Sequence, residues 1–170
     1  MTPTIAAIDP GPVRSAWLLY APTGKIGDRG IDNNDTVLTQ LCRGAKGTLR
    51  HLVVEMVESF GMPVGREVFE TVYWLGRFCE AWAYSASAEQ ITRLYRRDVK
   101  LHLCQSARAK DSNVRQALLD RFGPPGTKKE PGFTYGIAKD LWSALALAVT
   151  FADRERTDRH GWDISPAGSA

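Results

Sequence analysis

The pattern of apolar and polar positions along the chain predicts short strands first and longer helices later. Residues 4–9 form a continuous apolar run, which is typical of a strand buried on both faces. Apolar and aromatic residues recur at helical spacing over 66–84. Applied along the whole chain, the pattern predicts strands at 4–9, 15–21, 24–31, 50–56 and 91–95. It predicts helices from 32–35 to about 44, at 66–84, at 98–104, from 111–112 to 122, and at about 138–156.

The order of these elements predicts an α/β fold. Three strands joined by short turns come first, and such strands form an antiparallel meander. The two later strands each follow a helix, which is typical of crossover connections. We therefore expect a mixed five-stranded sheet with an antiparallel opening meander, flanked by helices. One domain would span residues 1–156, and residues 157–170 would form a C-terminal tail.

Composition narrows the class of protein. The hydrophobic share of 44% and charged share of 24% are those of an ordinary globular domain. No apolar stretch reaches the roughly 18–20 residues that a membrane span needs, and the N-terminus lacks the layout of a secretory signal. Three cysteines without CxxC spacing favour reduced thiols over disulfides or a zinc site. We therefore expect a cytoplasmic protein without a membrane partner.

The net charge of +3 is mild, but the basic residues are unevenly distributed. They bunch at Arg93, Arg96, Arg97 and Lys100, at Arg108, Lys110 and Arg115, and at Lys128 and Lys129. Local basic clusters of this kind suit a phosphate backbone, although each could also be a solvated helix face. The clustering indicates contact with DNA.

Three acidic residues sit at places where a carboxylate is unexpected. Asp9 ends the first apolar run, Glu55 ends the fourth predicted strand, and Asp140 stands at the start of the last helix. A carboxylate at the end of a buried strand is costly unless it is paired or metal-bound. Converging carboxylates suit hard divalent cations such as Mg²⁺, and two-metal sites of this type cleave phosphodiesters. The three residues therefore predict a metal-dependent nuclease.

Each of these acids also has a purely structural interpretation. Asp9 could cap the turn that follows it, and Glu55 could pair with Arg50 or Arg66. Asp140 could simply be an acid at a helix N-terminus, where the helix dipole favours negative charge. The metal-ligand interpretation is preferred because all three belong to segments that the predicted fold brings to one region.

The ordered set of motifs resembles the RuvC-type Holliday junction resolvases, which have the ribonuclease H-like fold. The similarity covers roughly residues 4–152. It also extends to members carried by phages or prophages, through the segment at 61–71. The matching pieces are Asp9-Pro10-Gly11, Val54-Glu55, Arg97-Asp98-Val99-Lys100 with Lys110 and Val114-Arg115-Gln116, and Asp140 with Ser143-Ala144-Leu145-Ala146-Leu147-Ala148.

The resemblance implies a homodimer that binds four-way DNA junctions and nicks two opposing strands with Mg²⁺. Two ions per site are expected, and Mn²⁺ could substitute. Asp9, Glu55 and Asp140 would be the metal ligands and catalytic acids. Lys110 would be a fourth catalytic residue, placed close to the scissile phosphate.

The resemblance also implies a set of DNA contacts. An aromatic residue in the loop after Glu55, here Phe60, would wedge or stack at the junction centre, or else anchor its loop in the core. Backbone contacts are expected from Arg97, Lys100, Arg108, Lys128 and Lys129.

One departure from the family pattern stands out. The family has a further carboxylate three residues after the third acid, and this chain has Ser143 there. The change could weaken one metal site, shift the duty to Glu58 or Asp111, or alter the substrate. Two alternatives therefore stay open: a branched-DNA binding module that does not cleave, and a ribonuclease H-like nuclease for flaps or RNA–DNA hybrids. An actin-like ATPase is disfavoured, because such enzymes clamp nucleotide between two such domains.

The helix at 66–84 predicts the homodimer independently. Its aromatic residues exceed what one core-facing stripe requires, and a symmetric pair would bury the second face. These residues are Phe69, Tyr73, Trp74, Phe78 and Trp82.

Overall fold

A computed structural model describes residues 4–45, 49–59, 61, 63–85 and 90–160. The five strands are β1 (Thr4–Asp9), β2 (Arg14–Ala21), β3 (Lys25–Asn33), β4 (Leu49–Met56) and β5 (Gln90–Tyr95). The five helices are α1 (Asn34–Ala45), α2 (Arg66–Ser85), α3 (Arg96–Cys104), α4 (Asp111–Phe122) and α5 (Leu141–His160).

The strands form one mixed sheet in the order β3-β2-β1-β4-β5. β1, β2 and β3 pair antiparallel through tight turns, whereas β4 lies parallel to both β1 and β5. Parallel pairing requires a crossover, and α2 supplies it between β4 and β5. The predicted α/β class, the mixed five-stranded sheet and its antiparallel opening are confirmed.

The sheet has a hydrophobic core on each face because successive strand residues point to opposite sides. In β1, Ile5 and Ala7 pack with α5, whereas Ala6 and Ile8 pack with α1 and α2. Both sets are almost completely buried, which explains why β1 reads as a continuous apolar run. The α5 face also receives α3 and α4.

The turn after β1 is held by a buried polar network. Ser15 Oγ accepts a hydrogen bond from the Gly11 N–H at 3.2 Å and donates to Asn34 Oδ1 at 2.7 Å. The Asn34 amide donates to the Gly11 carbonyl at 2.9 Å. A Cβ at Gly11 would collide with the Arg14 carbonyl, so the turn needs glycine there. Ser15 and Asn34 thus perform the turn-capping role that Asp9 could have had.

The last helix differs most from its prediction. α5 begins at Leu141 rather than near 138 and continues to His160 rather than 156. Lys139 has φ 49°, a left-handed conformation that a helix cannot contain, so the helix cannot begin earlier. The predicted tail at 157–170 therefore includes the last turn of α5, and residues 161–170 lie outside the described ones.

The aromatic residues of α2 divide between core and surface. Phe78 and Trp82 are fully buried against the sheet, while Phe69 and Tyr73 are 64% and 59% exposed. The sequence predicts more aromatic residues on this helix than one core face can bury. Of the five residues, Phe69 and Tyr73 support that prediction. Among the helices in the described ranges, none is both long and apolar enough to cross a membrane.

Candidate active site

The ends of β1 and β4 bring Asp9 and Glu55 together. Ile8 lies beside Val54 in the parallel ladder, so the acids that follow them leave the sheet as neighbours. Each acid comes two residues after a residue of the α5-facing core, so both side chains belong to that face. The fold thus places the first two predicted ligands side by side.

Asp140 is added to this pair by the N-terminus of α5. Its carbonyl accepts the first helical hydrogen bonds, from the N–H groups of Ser143 at 3.0 Å and Ala144 at 3.2 Å. Asp140 is therefore the residue that precedes the helix rather than a member of its first turn. The Ser143 side chain also hydrogen-bonds the Asp9 carboxylate, which ties α5 to the end of β1.

The charges of Glu55 and Asp140 both act on the Asp9 carboxylate. Burial, together with the negative charges of Glu55 and Asp140, raises the pKa of Asp9 to about 7. Arg96 and the Ser143 hydrogen bond oppose the shift without cancelling it. Like charges crowded into a partly buried site are stabilised by a cation, so the arrangement suits one.

Glu55 is paired with Arg96, whereas the structural alternative considered from the sequence named Arg50 or Arg66. Nη1 of Arg96, on the first residue of α3, lies 3.0 and 3.2 Å from the two carboxylate oxygens of Glu55. The Glu55 side chain is only 16% exposed. The sequence left two interpretations of Glu55, a metal ligand or the partner of an arginine. The structure shows an arginine pair, and the arginine is Arg96.

The same guanidinium also binds Asp111 at the start of α4. Nη2 of Arg96 lies 2.8 Å from Asp111 Oδ2, and Lys100 Nζ lies 3.3 Å from Oδ1. The hydrogen bond from Arg96 is the main reason that the pKa of Asp111 falls below its usual value. Although burial alone would lower the pKa of Arg96, its partners Asp111 and Glu55 raise it above the ordinary value. Asp111 is thus engaged by two cations, and Lys100 is partly neutralised.

A cleft of 690 Å³ opens in front of these residues, between α3, α4 and the start of α5. Its walls carry both signs of charge. The acidic members are Glu55, Asp111 and Asp140, and the basic members are Arg96, Lys100, Arg115 and Lys139. The basic side chains of such a cleft can attract a polyanion close to its acids.

Several of the other predicted DNA contacts do not line the cleft. Lys110 is exposed just before α4, where its N–H donates to Asn113 Oδ1 at 2.9 Å, and it does not line the cleft. Arg97 and Arg108 are exposed on α3 and on the loop after it. Phe60 lies outside the described residues, so the predicted wedge role stays a prediction.

Lys128 and Lys129 occupy the tip of a tight turn. The Thr127 N–H donates to the Glu130 carbonyl at 2.9 Å, and Gly126 bridges Pro131 just outside that bond. Gly126 has φ 74°, and a Cβ there would collide with the Glu130 carbonyl. The turn holds both exposed lysines at the end of a short hairpin, a geometry that suits contact with phosphates.

The side chains of the site have the donor atoms that a hard cation needs, but they do not enclose a position for it. Asp9, Glu55, Asp140 and Ser143 offer only oxygen donors, as Mg²⁺ prefers. Within the described ranges, however, no three His, Cys, Asp or Glu side chains are close enough together to enclose a metal ion. Arg96 holds Glu55, and Asp140 stands exposed at the helix start. A cation would have to draw these carboxylates together.

The sequence does not assign three basic residues to the cleft. Arg96 and Arg115 stand out only as members of basic clusters, and Lys139 does not stand out at all. Arg96 directly follows β5, a parallel neighbour of β4, and the carboxyl ends of parallel strands meet at one sheet edge. That rule could have placed it beside Glu55. Arg115 is set by packing, with its guanidinium carbon 5.1 Å from the Trp142 ring.

The fold is the ribonuclease H-like α/β fold, in the form that RuvC proteins have. A mixed five-stranded sheet with an antiparallel opening meander and helices on both faces defines it. No family model matches the sequence, and no curated protein does.

Two solved structures of Thermus thermophilus RuvC are similar to this chain. The first has a TM-score of 0.71 at 17% sequence identity, over 91% of this chain and 96% of the other. The second is that protein in complex with a Holliday junction substrate, with a TM-score of 0.69 at 18% identity and the same coverage. At this identity the likeness establishes the fold.

Proposed function

We propose that this protein is a metal-dependent endonuclease that cuts branched DNA, with four-way junctions as its substrate. The observation that carries the proposal is that the charges of Glu55 and Asp140 act on the buried Asp9 carboxylate, beside a cleft lined by both acidic and basic side chains. A buried acid whose pKa is raised by burial and by neighbouring acids beside a cleft is a candidate for chemistry rather than for packing. The likeness to a RuvC solved with a Holliday junction supports the choice of substrate.

The proposed cofactor is Mg²⁺, with Mn²⁺ able to substitute. When bound, it supplies Lewis acidity toward the scissile phosphate and the attacking water. Asp9, Glu55 and Asp140 are the proposed ligands, and Ser143 orients the Asp9 carboxylate through its hydrogen bond. Burial and the two neighbouring acids oppose ionisation of Asp9, and a bound cation would offset both effects.

The basic residues are proposed to hold the DNA backbone. Lys100 and Arg115 in the cleft would neutralise phosphates near the acids, where positive charge is needed as the transition state develops. Lys110, which directly precedes the cleft residue Asp111, keeps its proposed catalytic role toward the scissile phosphate. A larger set would contact the arms of the junction: Arg97, Arg108, Lys128 and Lys129, with Phe60 at its centre.

The active form is proposed to be a homodimer built on α2. Phe69, Val72 and Tyr73 expose apolar surface on one helix, which a symmetric copy would cover. Two active sites related by a twofold axis would suit two cuts in a four-way junction. The proposed location is the bacterial cytoplasm, with a phage or prophage as the source of the gene.

The test compares the wild-type protein and Asp9→Asn on four labelled substrates: a four-way junction, a flap, an RNA–DNA hybrid and a linear duplex, in Mg²⁺ and in Mn²⁺. We expect paired nicks in the junction that the substitution abolishes without loss of junction binding. Cleavage confined to the flap or the hybrid would instead identify a different ribonuclease H-like nuclease.

A second candidate function is a junction-binding module without cleavage. Ser143 in place of an acid and the Arg96–Glu55 pair both reduce the negative charge available to a cation. Tight junction binding that is unchanged by either metal, with no product on any substrate, would favour this candidate and contradict the first.

A further inference from the structure

The cleft beside the acids has an apolar part that binding of a phosphate backbone does not explain. This part belongs to the core on the α5 face of the sheet. Phosphates and sugars are recognised by charged and hydrogen-bonding groups, whereas the flat faces of nucleobases stack on apolar and planar side chains. The cleft therefore offers a surface for a base as well as for the backbone. Its apolar lining consists of Val99, Val114, Leu119, Ile137, Trp142 and Ala146.

Arg115 stands at this apolar part and lies over an indole ring. Its guanidinium carbon is 5.1 Å from the centroid of the Trp142 ring, a distance at which the ring attracts a cation. Trp142 is only 9% exposed, whereas Arg115 is exposed on α4, and both line the cleft. The core thus fixes the indole, and the indole positions the guanidinium.

The Arg115 guanidinium is available to a ligand, in contrast to that of Arg96, which binds Glu55 and Asp111. Among the residues that the structure describes, no Asp or Glu forms an ion pair with Arg115. A guanidinium stacks on a base through its flat face, while its N–H groups donate within its plane. Arg115 can therefore stack on a base and still donate to a neighbouring phosphate.

The size and layout of the cleft suit a nucleotide. Its volume of 690 Å³ lies within the range of about 300–1,000 Å³ that is typical of sites for small molecules. Asp140 lies two residues before Trp142, and Asp111 lies four residues before Arg115 on the same helix. A base at Arg115 and a phosphate near the acids can therefore belong to the same nucleotide or to adjoining ones.

We propose that the cleft binds an unpaired nucleobase beside the acids, stacked on Arg115. A base inside a duplex is paired and stacked on its neighbours, so only a base that leaves the stack can enter the cleft. That cost is lowest where pairing is already interrupted, as at the branch point of a junction. The site thus favours branched DNA over linear duplex. This inference rests on the proposed binding of branched DNA, and it does not require cleavage.

The test measures binding of the full-length protein to four-way junctions in EDTA, which prevents metal-dependent cleavage. Each junction carries an abasic residue, which lacks the base and keeps the phosphate, at one position of two opposing strands, and the position is moved around the branch point. The variant is Arg115→Lys, which keeps the charge and loses the planar guanidinium. Arg43→Lys is the matched control, because Arg43 is exposed on α1, on the other face of the sheet. Fluorescence anisotropy gives the dissociation constants, and circular dichroism checks that each variant is folded.

We expect the wild type and Arg43→Lys to bind junctions with one or two particular abasic positions about tenfold more weakly than the intact junction. Arg115→Lys should bind the intact junction about tenfold more weakly than the wild type does and lose the dependence on position. Its salt dependence should stay that of the wild type, because the number of positive charges is unchanged.

Equal affinity of the wild type for every junction would overturn the base site and leave the nuclease proposal standing. A dependence on position that persists unchanged in Arg115→Lys would do the same, because the charge alone would then account for the contribution of Arg115. No binding of any junction by the wild type would overturn the proposed DNA substrate and this inference with it.

Discussion

Burial and mutual repulsion of the acids in the candidate site lower the free energy of unfolding. Asp9 is partly buried, and Glu55 and Asp140 both raise its pKa. Ser143 and Arg96 relieve part of this repulsion. Functional sites are commonly places where a fold tolerates such opposition, so removal of one acid should stabilise the protein while it destroys the site.

We predict that Asp9→Asn raises the free energy of unfolding of the metal-free protein by about 1–3 kcal/mol at pH 8, because one repelling and partly buried charge is lost. The measurement is urea denaturation followed by circular dichroism. Asp28→Asn, at an exposed position of β3, is the control and should change stability by less than about 0.5 kcal/mol. A less stable Asp9→Asn would show that Asp9 supports the fold.

For individual residues, the sequence predicts where the acids lie better than it predicts which side chains they contact. Asp9 and Glu55 can be recognised because each ends an apolar run, and strand alternation then sets their side. Arg96 cannot be assigned to Glu55 in the same way, because 41 positions separate them in the sequence. Their contact depends on β5 lying beside β4 and on α3 beginning two residues before its predicted start.

Among the elements, the three helices on one face are joined by a single acid. Asp153 on α5 lies 2.9 Å from His102 Nε2 on α3 and 2.6 and 2.7 Å from the Nη atoms of Arg121 on α4. Burial alone would raise the pKa of Asp153, but the hydrogen bonds from Arg121 and His102 lower it below 3.8. The link fixes α3 and α4, which form the walls of the cleft, relative to the sheet.

We predict that Asp153→Asn lowers the free energy of unfolding by about 1–3 kcal/mol at pH 7. Because the pKa of Asp153 is depressed in the folded protein, its contribution is present above the unfolded value near 3.8 and is lost as the pH falls through the folded value. Urea denaturation at pH 7 and at about pH 3 should therefore show the difference shrinking in acid.

The control for this comparison is Asp120→Asn, since Asp120 is exposed and accepts a hydrogen bond from Gln116 on its own helix. An effect of Asp153→Asn that persists unchanged at the acid pH would contradict the ion-pair explanation.

The sequence predicts the types and the order of the elements correctly, but it predicts the first residues of the helices less accurately. The strands agree with prediction to within two residues, because apolar runs and turn residues mark their ends. The start of α5 was wrong by three residues, since the left-handed backbone of Lys139 has no glycine or asparagine to signal it. That error matters locally, because it moves Asp140 from the first turn of the helix to the residue before it.

For the whole molecule, the outer face of α2 is the surface that matters, because large apolar side chains are exposed on it. Phe69 and Tyr73 are exposed there, while Arg77 lies over Trp74 with its guanidinium carbon 4.4 Å from the ring centroid. The ring pair Tyr73–Trp74 continues the aromatic surface. An exposed apolar patch of this kind on one helix indicates an interface.

We predict that Phe69→Glu converts a dimer into a monomer at micromolar concentration, because a charge would be buried without a partner at the interface. Sedimentation velocity measures the change. Leu101→Glu, an equivalent substitution at an exposed position of α3, should leave the dimer intact. A wild-type protein that sediments as a monomer at every concentration would remove α2 as the dimer surface.

The position of α5 has a consequence for how the protein opens. From Ala144 to Ala152 the helix is buried on all sides against β1, β2 and the neighbouring helices, and Asp140 stands at its beginning. Segments with such packing exchange their amide hydrogens only when the whole domain unfolds. Asp9 ends β1 and Asp140 directly precedes α5, so these two acids could separate only if the whole domain unfolded. Arg96 begins α3, which His102 and Asp153 tie to α5, so a local opening of α3 would have to break that link and would alter the charge around Glu55 without separating Asp9 from Asp140.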